Sequence, residues 1–542
     1  MLCAVAPWVL MATAFLLAAN SQATPSFANA LTNGMLNISG LSEVSGVAAS
    51  RNNDNVLWVH NDSGHPAVAY AIDTQGRKLG IYNLPGNVDN EDIAIGPGPI
   101  TNVSYLYVGD IGDNSSNRSN IKIYQIPEPV VYARQFTNPA AITPKGSRTI
   151  TLTYPDGARD AEAMFVDPVT GDFFILSKEA ISRVYTASKS QLDTNNSFAL
   201  TFLRSLSFNV PSAADISPSG NEIIVRQENF ARLWIRAAGQ SIDAAFSGTA
   251  ITIPVVGTAN GEPNGEAIGY DSVGRGYFTL SDSGATPLTN QPIRYFARTS
   301  NDGPAARQTL VAAGSSWAYL DNGTDQGTAW RDRLFDSSVW SNGIAQFGYG
   351  EGDEQTRVAS NHITTYFRRT FDVQNAAAVT NLALKLLVNN GAAVFLNGAA
   401  IAYYNLATNA VFNTAATQQP LNLQDTWLSY PVSPSNLTNG VNTLAVEVHQ
   451  TSVVSSNLSF DLQLLAICQP PAGPSVSLTS LPNAVEVCWP ASVAGYALEQ
   501  SASLVSGGSW SLAPEPVYIW SDQFFMTNSS PVGMRYYRLH HP

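Results

Sequence analysis

The stretch Leu57–Gly64 reads LWVHNDSG, an apolar run from Leu57 to Val59 that ends in an Asn-Asp-Ser-Gly turn. A variant returns at Phe278–Gly284 as FTLSDSG. Looser copies lie between them at Leu106–Gly112 (LYVGDIG), Phe174–Glu179 (FILSKE) and Ile223–Asn229 (IIVRQEN). Each copy is a short β-rich run that delivers an acidic residue at its end: Asp62, Asp110, Glu179, Glu228 and Asp282. Recurrence of one motif along the chain is the mark of a repeat architecture, in which no unit buries its apolar face alone.

Working outward, Met35 to Arg298 reads as strands and turns with almost no helix. Runs of Val, Ile, Leu, Tyr and Phe alternate with Gly, Pro, Asn and Asp clusters. The clearest unit is Glu162–Phe208, with strands predicted at Ala163–Val166, Asp172–Leu176, Ser182–Ala187 and Leu200–Phe208. Four antiparallel strands per unit are the sheet of a β-propeller blade. First strands begin at Ser45, Glu91, Glu162, Ala214 and Glu266, spaced by 46, 71, 52 and 52 residues. The long interval holds Pro127–Ser147, expected as an insertion on a blade edge. The count is five blades, or six if the boundary near Arg298–Gln308 hides a degenerate one. Leu36–Gly40 is the expected outer strand that closes the last blade.

In a propeller, the innermost strands line a channel and their ends crowd one mouth. Glu91, Glu162 and Glu266 recur on first strands; Asp62, Asp110, Glu179, Glu228 and Asp282 recur on second strands. Carboxylates brought together raise one another's pKa or require a cation. An all-oxygen set suits Ca²⁺ or Mg²⁺ better than zinc. The candidate metal ligands are therefore Glu91, Glu162, Glu266, Asp282, Asp110 and Asp62, with Ca²⁺ the expected ion if the site has one. Asn61, His60, Arg226 and Lys178 are the other polar groups expected at this mouth. The competing role is structural, since acidic residues at strand ends accept backbone N–H bonds and cap turns. Ser63 and Ser283 sit in turns and outside any G-x-S-x-G setting, which argues against a hydrolase nucleophile. Six histidines, two of them in the last three residues, argue against a His-rich metal site. His60 and His65 bracket a turn and are expected at the surface.

The run EAMFVDPVTGDFFILSKE (Glu162–Glu179), together with EAIGYDSVGRGYFTLSDSG (Glu266–Gly284), resembles the propellers of exported phytase-like and gluconolactonase-like proteins. In some of those proteins, mouth carboxylates hold calcium and assist hydrolysis. The resemblance implies a propeller and an esterase or lactonase activity. Those families usually have six blades, against the five counted here.

Val311–Ile467 changes character. Trp317, Trp330, Trp340 and Trp427 punctuate predicted strands such as Tyr366–Val373, Leu382–Val388 and Asn442–Val448, and Asn397-Gly398 signals a hairpin. About 150 residues of antiparallel β suggest a jelly-roll sandwich. This pattern resembles the galactose-binding-like modules of secreted bacterial enzymes and surface proteins, which implies glycan binding by loops at one end. Relatives often carry Asp-Asp-Gly where this chain has Asn389-Asn390-Gly391, which weakens any cation site there. Aromatic residues in such a module pack in the core by default. Trp330, Tyr403 and Tyr404 are the candidates for stacking on sugar rings. Gln469–Pro474 (QPPAGP) is a linker by composition. Beyond it, Val485–Trp489 resembles the central strand of immunoglobulin- and fibronectin-type sandwiches, with Trp489 expected in the core.

With 542 residues the chain has room for three or four domains. Only 13% of it is charged, against about 25% in an average domain, and its net charge is -13. The acidic balance excludes sequence-independent nucleic-acid binding, which needs a basic face. Ala4–Ala19 is apolar but short for a bilayer, with small-residue cleavage sites at Ser21-Gln22-Ala23 and Ala28-Asn29-Ala30. It reads as a signal peptide, although no Lys or Arg precedes it; a lone membrane anchor is the alternative. Once it is removed, no transmembrane span is expected. If Cys3 leaves with the signal, Cys468 and Cys488 are either a disulfide or two free thiols.

The expected organisation is all-β: signal peptide 1–30, five-bladed propeller 31–305, galactose-binding-like jelly roll 311–467 and immunoglobulin-like sandwich 475–542. The expected place is secreted, periplasmic or cell-surface, and the expected role is binding of extracellular glycans or cell-surface ligands. Two alternatives stay open. One is a cation-dependent hydrolase of an ester, lactone or phosphoester at the propeller mouth. The other is a structural or adhesive surface protein.

Overall fold

A computed structural model describes residues 24–131, 140–282, 291–300, 306–417, 425–468, 476–481, 484–490, 497–501, 510–520, 523–528 and 535–540. Residues 1–23 of the expected signal segment, with Cys3, the pair Ser283-Gly284 and the linker Gln469–Pro474 lie outside the described residues, whereas residues 24–30 are described, with Phe27 bridged to Arg298. The chain is all-β and divides into two compact units. One holds residues 1–374 and 381–466; the other holds 375–380 and 467–542. No helix among the described residues is long and apolar enough to cross a membrane.

The N-terminal part of the first unit is built from five open sheets. The chain begins with strand β1 (Leu31–Leu36), which joins the last of them. The first sheet is β2 (Val44–Ala49), β3 (Val56–Asn61), β4 (Val68–Asp73) and β5 (Lys78–Asn83) in consecutive order. The second runs β6 (Asn90–Pro97), β7 (Ser104–Asp110), β8 (Ile121–Pro127) and β9 (Arg148–Thr153). The third uses β10 (Ala161–Val166), β11 (Phe173–Ser177) and β12 (Ser182–Ala187). A short helix, α1 (Lys189–Thr194), follows β12 and is capped by Ser188 in a reciprocal box with Gln191. Next, β13 (Ser197–Ala199) crosses over to lie parallel to β9, making the second sheet five-stranded, and β14 (Thr201–Leu206) completes the third. The fourth sheet is β15 (Ala213–Ile216), β16 (Glu222–Gln227), β17 (Phe230–Ile235) and β18 (Ile251–Ile253), with α2 (Ile242–Phe246) before its last strand. The fifth is β19 (Asn264–Tyr270), β20 (Gly276–Asp282) and β21 (Gln291–Ala297), with β1 on its outer edge. The closing strand is thus supplied from upstream of the expected Leu36–Gly40.

The first strands neighbour one another in a cycle. β2 packs beside β6, β6 beside β10, β10 beside β15, β15 beside β19, and β19 again beside β2. Buried carboxylates tie several of them. Asp92 on β6 accepts the backbone N–H of Met164 on β10 at 2.9 Å and of Ala214 on β15 at 3.2 Å. Asp215 on β15 accepts that of Tyr270 on β19 at 2.7 Å. Neighbouring sheets share apolar cores, which explains why β3 is buried along its whole length and opens on the apolar run Val56–Val59. Trp58 and Tyr82 pack with Ile93 and Tyr124, while Leu57 and Tyr70 pack with Phe278 and Ile293.

The second part of this unit is two six-stranded sheets. In chain order its strands are β22 (Ala306–Val311), β23 (Ser316–Leu320), β24 (Ser341–Ile344), β25 (Phe347–Tyr349), β26 (Thr356–Arg357) and β27 (Thr364–Val373). They continue with β28 (Val379–Val388), β29 (Gly391–Leu396), β30 (Ala399–Tyr404), β31 (Leu428–Val432), β32 (Gly440–His449) and β33 (Leu458–Cys468). One sheet is ordered β24-β23-β27-β32-β29-β30; the other is β26-β25-β33-β28-β31, with β22 also on β33. Their faces meet through aromatic rings: Phe367 stacks on Phe460 at 4.2 Å and Trp317 meets Phe460 edge-on at 5.3 Å.

These two sheets dock on one end of the five-sheet region. Lys385 Nζ donates to the Asn52 carbonyl at 3.0 Å, Gln463 to Asp54 at 2.6 Å, and the backbone N–H of Ser429 to the Asn102 carbonyl at 2.7 Å. Asn52, Asp54 and Asn102 follow the C-terminal ends of β2 and β6, so the opposite end, where Ser45 and Glu91 stand, is not the docked one.

In the second unit, a four-stranded and a three-stranded sheet share a core of Val487, Trp489, Leu498 and Met526. Trp489 is buried there, and Cys468 and Cys488 are free thiols.

Candidate functional site

The site grows from a recurrent irregularity. Four of the five first strands carry a register shift at their N-terminal end. It falls between Val44 and Gly46 on β2, Asn90 and Asp92 on β6, Ala161 and Ala163 on β10, and Asn264 and Ala267 on β19. The extra residues are Ser45, Glu91, Glu162 and the pair Gly265-Glu266. A β-bulge leaves one residue outside the ladder and turns its side chain away from the ordinary alternation. The first acidic series is the set of bulge residues. Because the first strands are cyclic neighbours, their bulges face a common patch. β15 has no such shift, and no glutamate stands at its start.

Asp62, Asp89 and Glu91 each place a carboxylate oxygen within 4.8 Å of the others. Glu91 is 5% exposed. It is held well above the usual carboxyl range, first by burial and then by Glu162, Asp62, Asp89 and Glu266. Burial, with help from Asp282, Glu162 and Asp62, pushes Glu266 up to about 9. Asp62 is pushed up to about 6 by burial, with Asp89, Glu43 and Asp282 adding to it. Glu162 rises to about 7 through burial even though the Lys178 ammonium is paired with it. Burial disfavours the charged Lys178, but Glu162, Glu91 and Asp160 outweigh it and hold its pKa up. These mutual influences bring Asp62, Asp89, Glu91, Glu162, Glu266 and Asp282 into one electrostatic neighbourhood, drawn from the first, second, third and fifth sheets. Gly112 lies against it so closely that a Cβ there would overlap the carboxylates of Glu91 and Asp89.

Other expected site residues have different work. Asp110 is fully buried and spent. It pairs with Arg118 at 2.7 Å, takes the Tyr124 hydroxyl at 2.7 Å and accepts the backbone N–H groups of Val88 and Asp89 at 3.3 and 3.2 Å. It positions the Asp89 segment and does not open on the patch. Asn61 is buried and tied to the backbone of Ser42, Glu43 and Gly40. His60, expected at the surface, is fully buried, and burial lowers its imidazole to about 4. Arg226 is buried against Glu262 and the Ala267 carbonyl. Glu179 turns to Arg159 at 2.7 Å, and Glu228 is exposed. The ladder register explains this scatter. Asn61, Asp110, Ser177 and Asp282 occupy equivalent places, each opposite the residue before the bulge. Asp110 and Asp282 share that place, whereas Asp62 and Glu179 stand one and two residues past it.

Asp89 was missed. It stands just before β6, two residues ahead of the bulge at Glu91, where no repeated motif marks it.

In the second pair of sheets, Trp330 is 0% exposed, with Tyr366 at 4.8 Å and Phe395 at 5.9 Å from its ring. Its faces are covered, so it is a core residue and offers no platform to a sugar. Tyr403 and Tyr404 on β30 are half-buried. Asn389 and Asn390 are buried within a polar network that includes Ser459 and Gln450. A second acidic group, Glu351, Asp353 and Asp425, also comes within 4.8 Å, with Glu351 bonded to the Ser459 hydroxyl at 2.6 Å and the Asn457 amide at 2.8 Å.

No protein-family model and no curated protein matches the chain. Solved structures with some similarity include a calcium-binding mutant of Bacteroides uniformis β-glucuronidase 2, at 14% identity and TM-score 0.22 over 43% of this chain and 28% of that one. A β-glycosidase from Bacteroides vulgatus aligns at 13% identity and TM-score 0.20 over 42% of this chain and 30% of that one. An auxiliary nutrient binding protein from Bacteroides thetaiotaomicron aligns at 13% identity and TM-score 0.28 over 48% of this chain and 70% of that one. The chain spans less than a third of the length of the two glycosidases. Likeness at these scores assigns neither fold nor activity to it.

Proposed function

We propose that the five sheets are the blades of a β-propeller in an exported protein, and that the carboxylates at its undocked mouth hold a divalent cation through which an extracellular ligand is bound. Calcium fits the donor set, which is all oxygen, flexible in number and rich in carboxylate. The observation that carries this reading is the Asp62, Asp89 and Glu91 trio within 4.8 Å, surrounded by Glu162, Glu266 and Asp282. Without a cation, these groups are driven toward their protonated forms; a cation lets them ionise. Asp62, Asp89 and Glu91 would be the primary ligands, with Glu266 and Asp282 closing the other side.

A hydrolytic role is the second reading, favoured by Glu162. A carboxyl that titrates near 7 beside a cation is suited to take a proton from an attacking water. The jelly-roll reading of the second pair of sheets remains part of the proposal, but the burial of Trp330 moves the binding role from that module to the mouth.

Thermal unfolding of the full chain with calcium and with EDTA tests the site. At about a hundredfold excess over Kd, a bound ion adds roughly 2.7 kcal/mol and raises Tm by several degrees. No shift at millimolar calcium, together with no heat of binding by calorimetry, would remove the cation site. Turnover of ester, lactone or phosphoester substrates that requires the ion would favour the second reading over simple binding.

A further inference from the structure

We propose that the second pair of sheets holds a binding pocket of its own, apart from the mouth, in which the Arg369 guanidinium takes the carboxylate of a small hydroxylated acid. The pocket is independent of the cation reading above.

The pocket, of about 280 Å³, is lined by Ser316, Ser337, Asn342, Arg368, Arg369 and Thr370. In the ladders Ala318 stands opposite Arg368 on β27 and opposite Asn342 on β24, so these three share one face of their sheet. Ser316 and Thr370 lie two residues along β23 and β27 and belong to the same face. Phe367, on the other face, stacks on Phe460 of the facing sheet, so the pocket is on the outer side of the sandwich. Arg368 draws the segment 330–337 over it. Its Nη1 donates to the Trp330 carbonyl and its Nη2 to the Phe335 carbonyl at 3.2 Å, with the guanidinium 5.2 Å from the Phe335 ring. Ser337 reaches the pocket from that segment.

Two positive charges here lack the answer that other buried arginines receive. Arg226 meets Glu262, Arg236 meets Asp167 at 2.9 Å, and Arg298 meets Glu222. Arg368, 3% exposed, and Arg369, half-buried, bond to backbone carbonyls and to no carboxylate among the described residues. A guanidinium taken out of water without a counter-charge is costly, and an incoming anion relieves that cost. Both Nε atoms are buried with no hydrogen-bond partner. In Arg369 the Ser316 carbonyl takes Nη1, which leaves Nε and Nη2, the two nitrogens of one edge. That edge offers two parallel N–H groups in the spacing of two carboxylate oxygens. The Asn342 amide and the hydroxyls of Ser316, Ser337 and Thr370 make no hydrogen bond among the described residues, so they are available to hydroxyl groups of the same ligand. Asp332, the carboxylate that acts on Arg368, is exposed. Set against Arg368, it leaves one positive charge, which suits a carboxylate better than a sulfate or phosphate dianion.

The full-length protein, in EDTA so that no cation takes part, is titrated by calorimetry with sodium D-glycerate and D-mannonate, with their uncharged counterparts glycerol and D-mannitol, and with sulfate. At least one acid is expected to bind about tenfold or more tightly than its alcohol and than sulfate. Arg369→Gln, which removes the two-pronged edge, should weaken that acid about tenfold or more. Asn342→Asp sets a like charge in the pocket from an exposed position that a folded chain accommodates, and should weaken the acid about as much. Binding of neither acid up to about 20 mM overturns the proposal. So does an alcohol or sulfate that binds as tightly as the acid, or an Asn342→Asp variant that binds the acid as the parent does. None of these outcomes bears on the cation site, which is read by calcium.

Discussion

The two ends of the five-sheet region treat their carboxylates in opposite ways. At the docked end, acids are answered by protein. Glu222 pairs with Arg298 and takes the Tyr270 hydroxyl at 3.0 Å. Asp167 meets Arg236 at 2.9 Å, and Asp271 accepts three backbone N–H groups and the Tyr295 hydroxyl. At the open end, Asp62, Asp89, Glu91, Glu162 and Glu266 press on one another with Lys178 between them. The strands are the same at both ends, so strand chemistry does not make the difference. The first-strand bulges do: they fall at the open end and crowd Glu91, Glu162 and Glu266 together, with Lys178 paired to Glu162. Acids kept in that condition point to something from outside the chain.

The largest test of this contrast is at the docked end. Arg298→Ala leaves a nearly buried Glu222 without its cation and should cost about 3–5 kcal/mol in urea unfolding. A loss under 1 kcal/mol would mean that the two ends do not differ in kind.

pH gives the next effect. Glu266 titrates near 9 and Glu162 near 7 in the folded chain, against an ordinary 4.5. An acid raised in the folded state holds its proton more tightly there than when unfolded. The stability it contributes is therefore complete below 4.5 and is lost as the pH climbs toward 9. Metal-free protein should lose Tm across that window, and calcium should flatten the slope; a Tm that rises with pH in the absence of calcium contradicts the open-end picture.

At the open end, Glu91→Gln removes a buried charge that lacks an internal counter-ion. It should raise metal-free stability by about 1 kcal/mol and abolish the calcium shift. The smallest effect belongs to Glu228→Gln, an exposed member of the second acidic series. It should change stability by less than about 0.5 kcal/mol and leave the calcium shift intact.

The comparison also marks what was readable in the chain. The recurrence of Glu91, Glu162 and Glu266 was plain, because an acidic residue at the start of an apolar strand is a one-dimensional pattern. The second series was misaligned, because ladder register depends on where an extra residue is accommodated, and Asn61, Asp110, Ser177 and Asp282 share a place that no motif marks. Asp110 and Arg226 looked like site residues, but each meets its partner, Arg118 or Glu262, only in the folded chain. Trp330 could not be sorted from a sugar-stacking residue by spacing alone, since core and surface tryptophans share the same strand signals.

By itself, the sequence determined that the chain folds as repeated sheets and turns with little helix, because alternation, turn residues and apolar runs act over a few neighbouring residues. The tertiary structure decided which acids meet. That outcome depends on the cyclic packing of five first strands and on bulges that turn single side chains toward one patch, and both arise only when residues far apart in the chain are brought into contact.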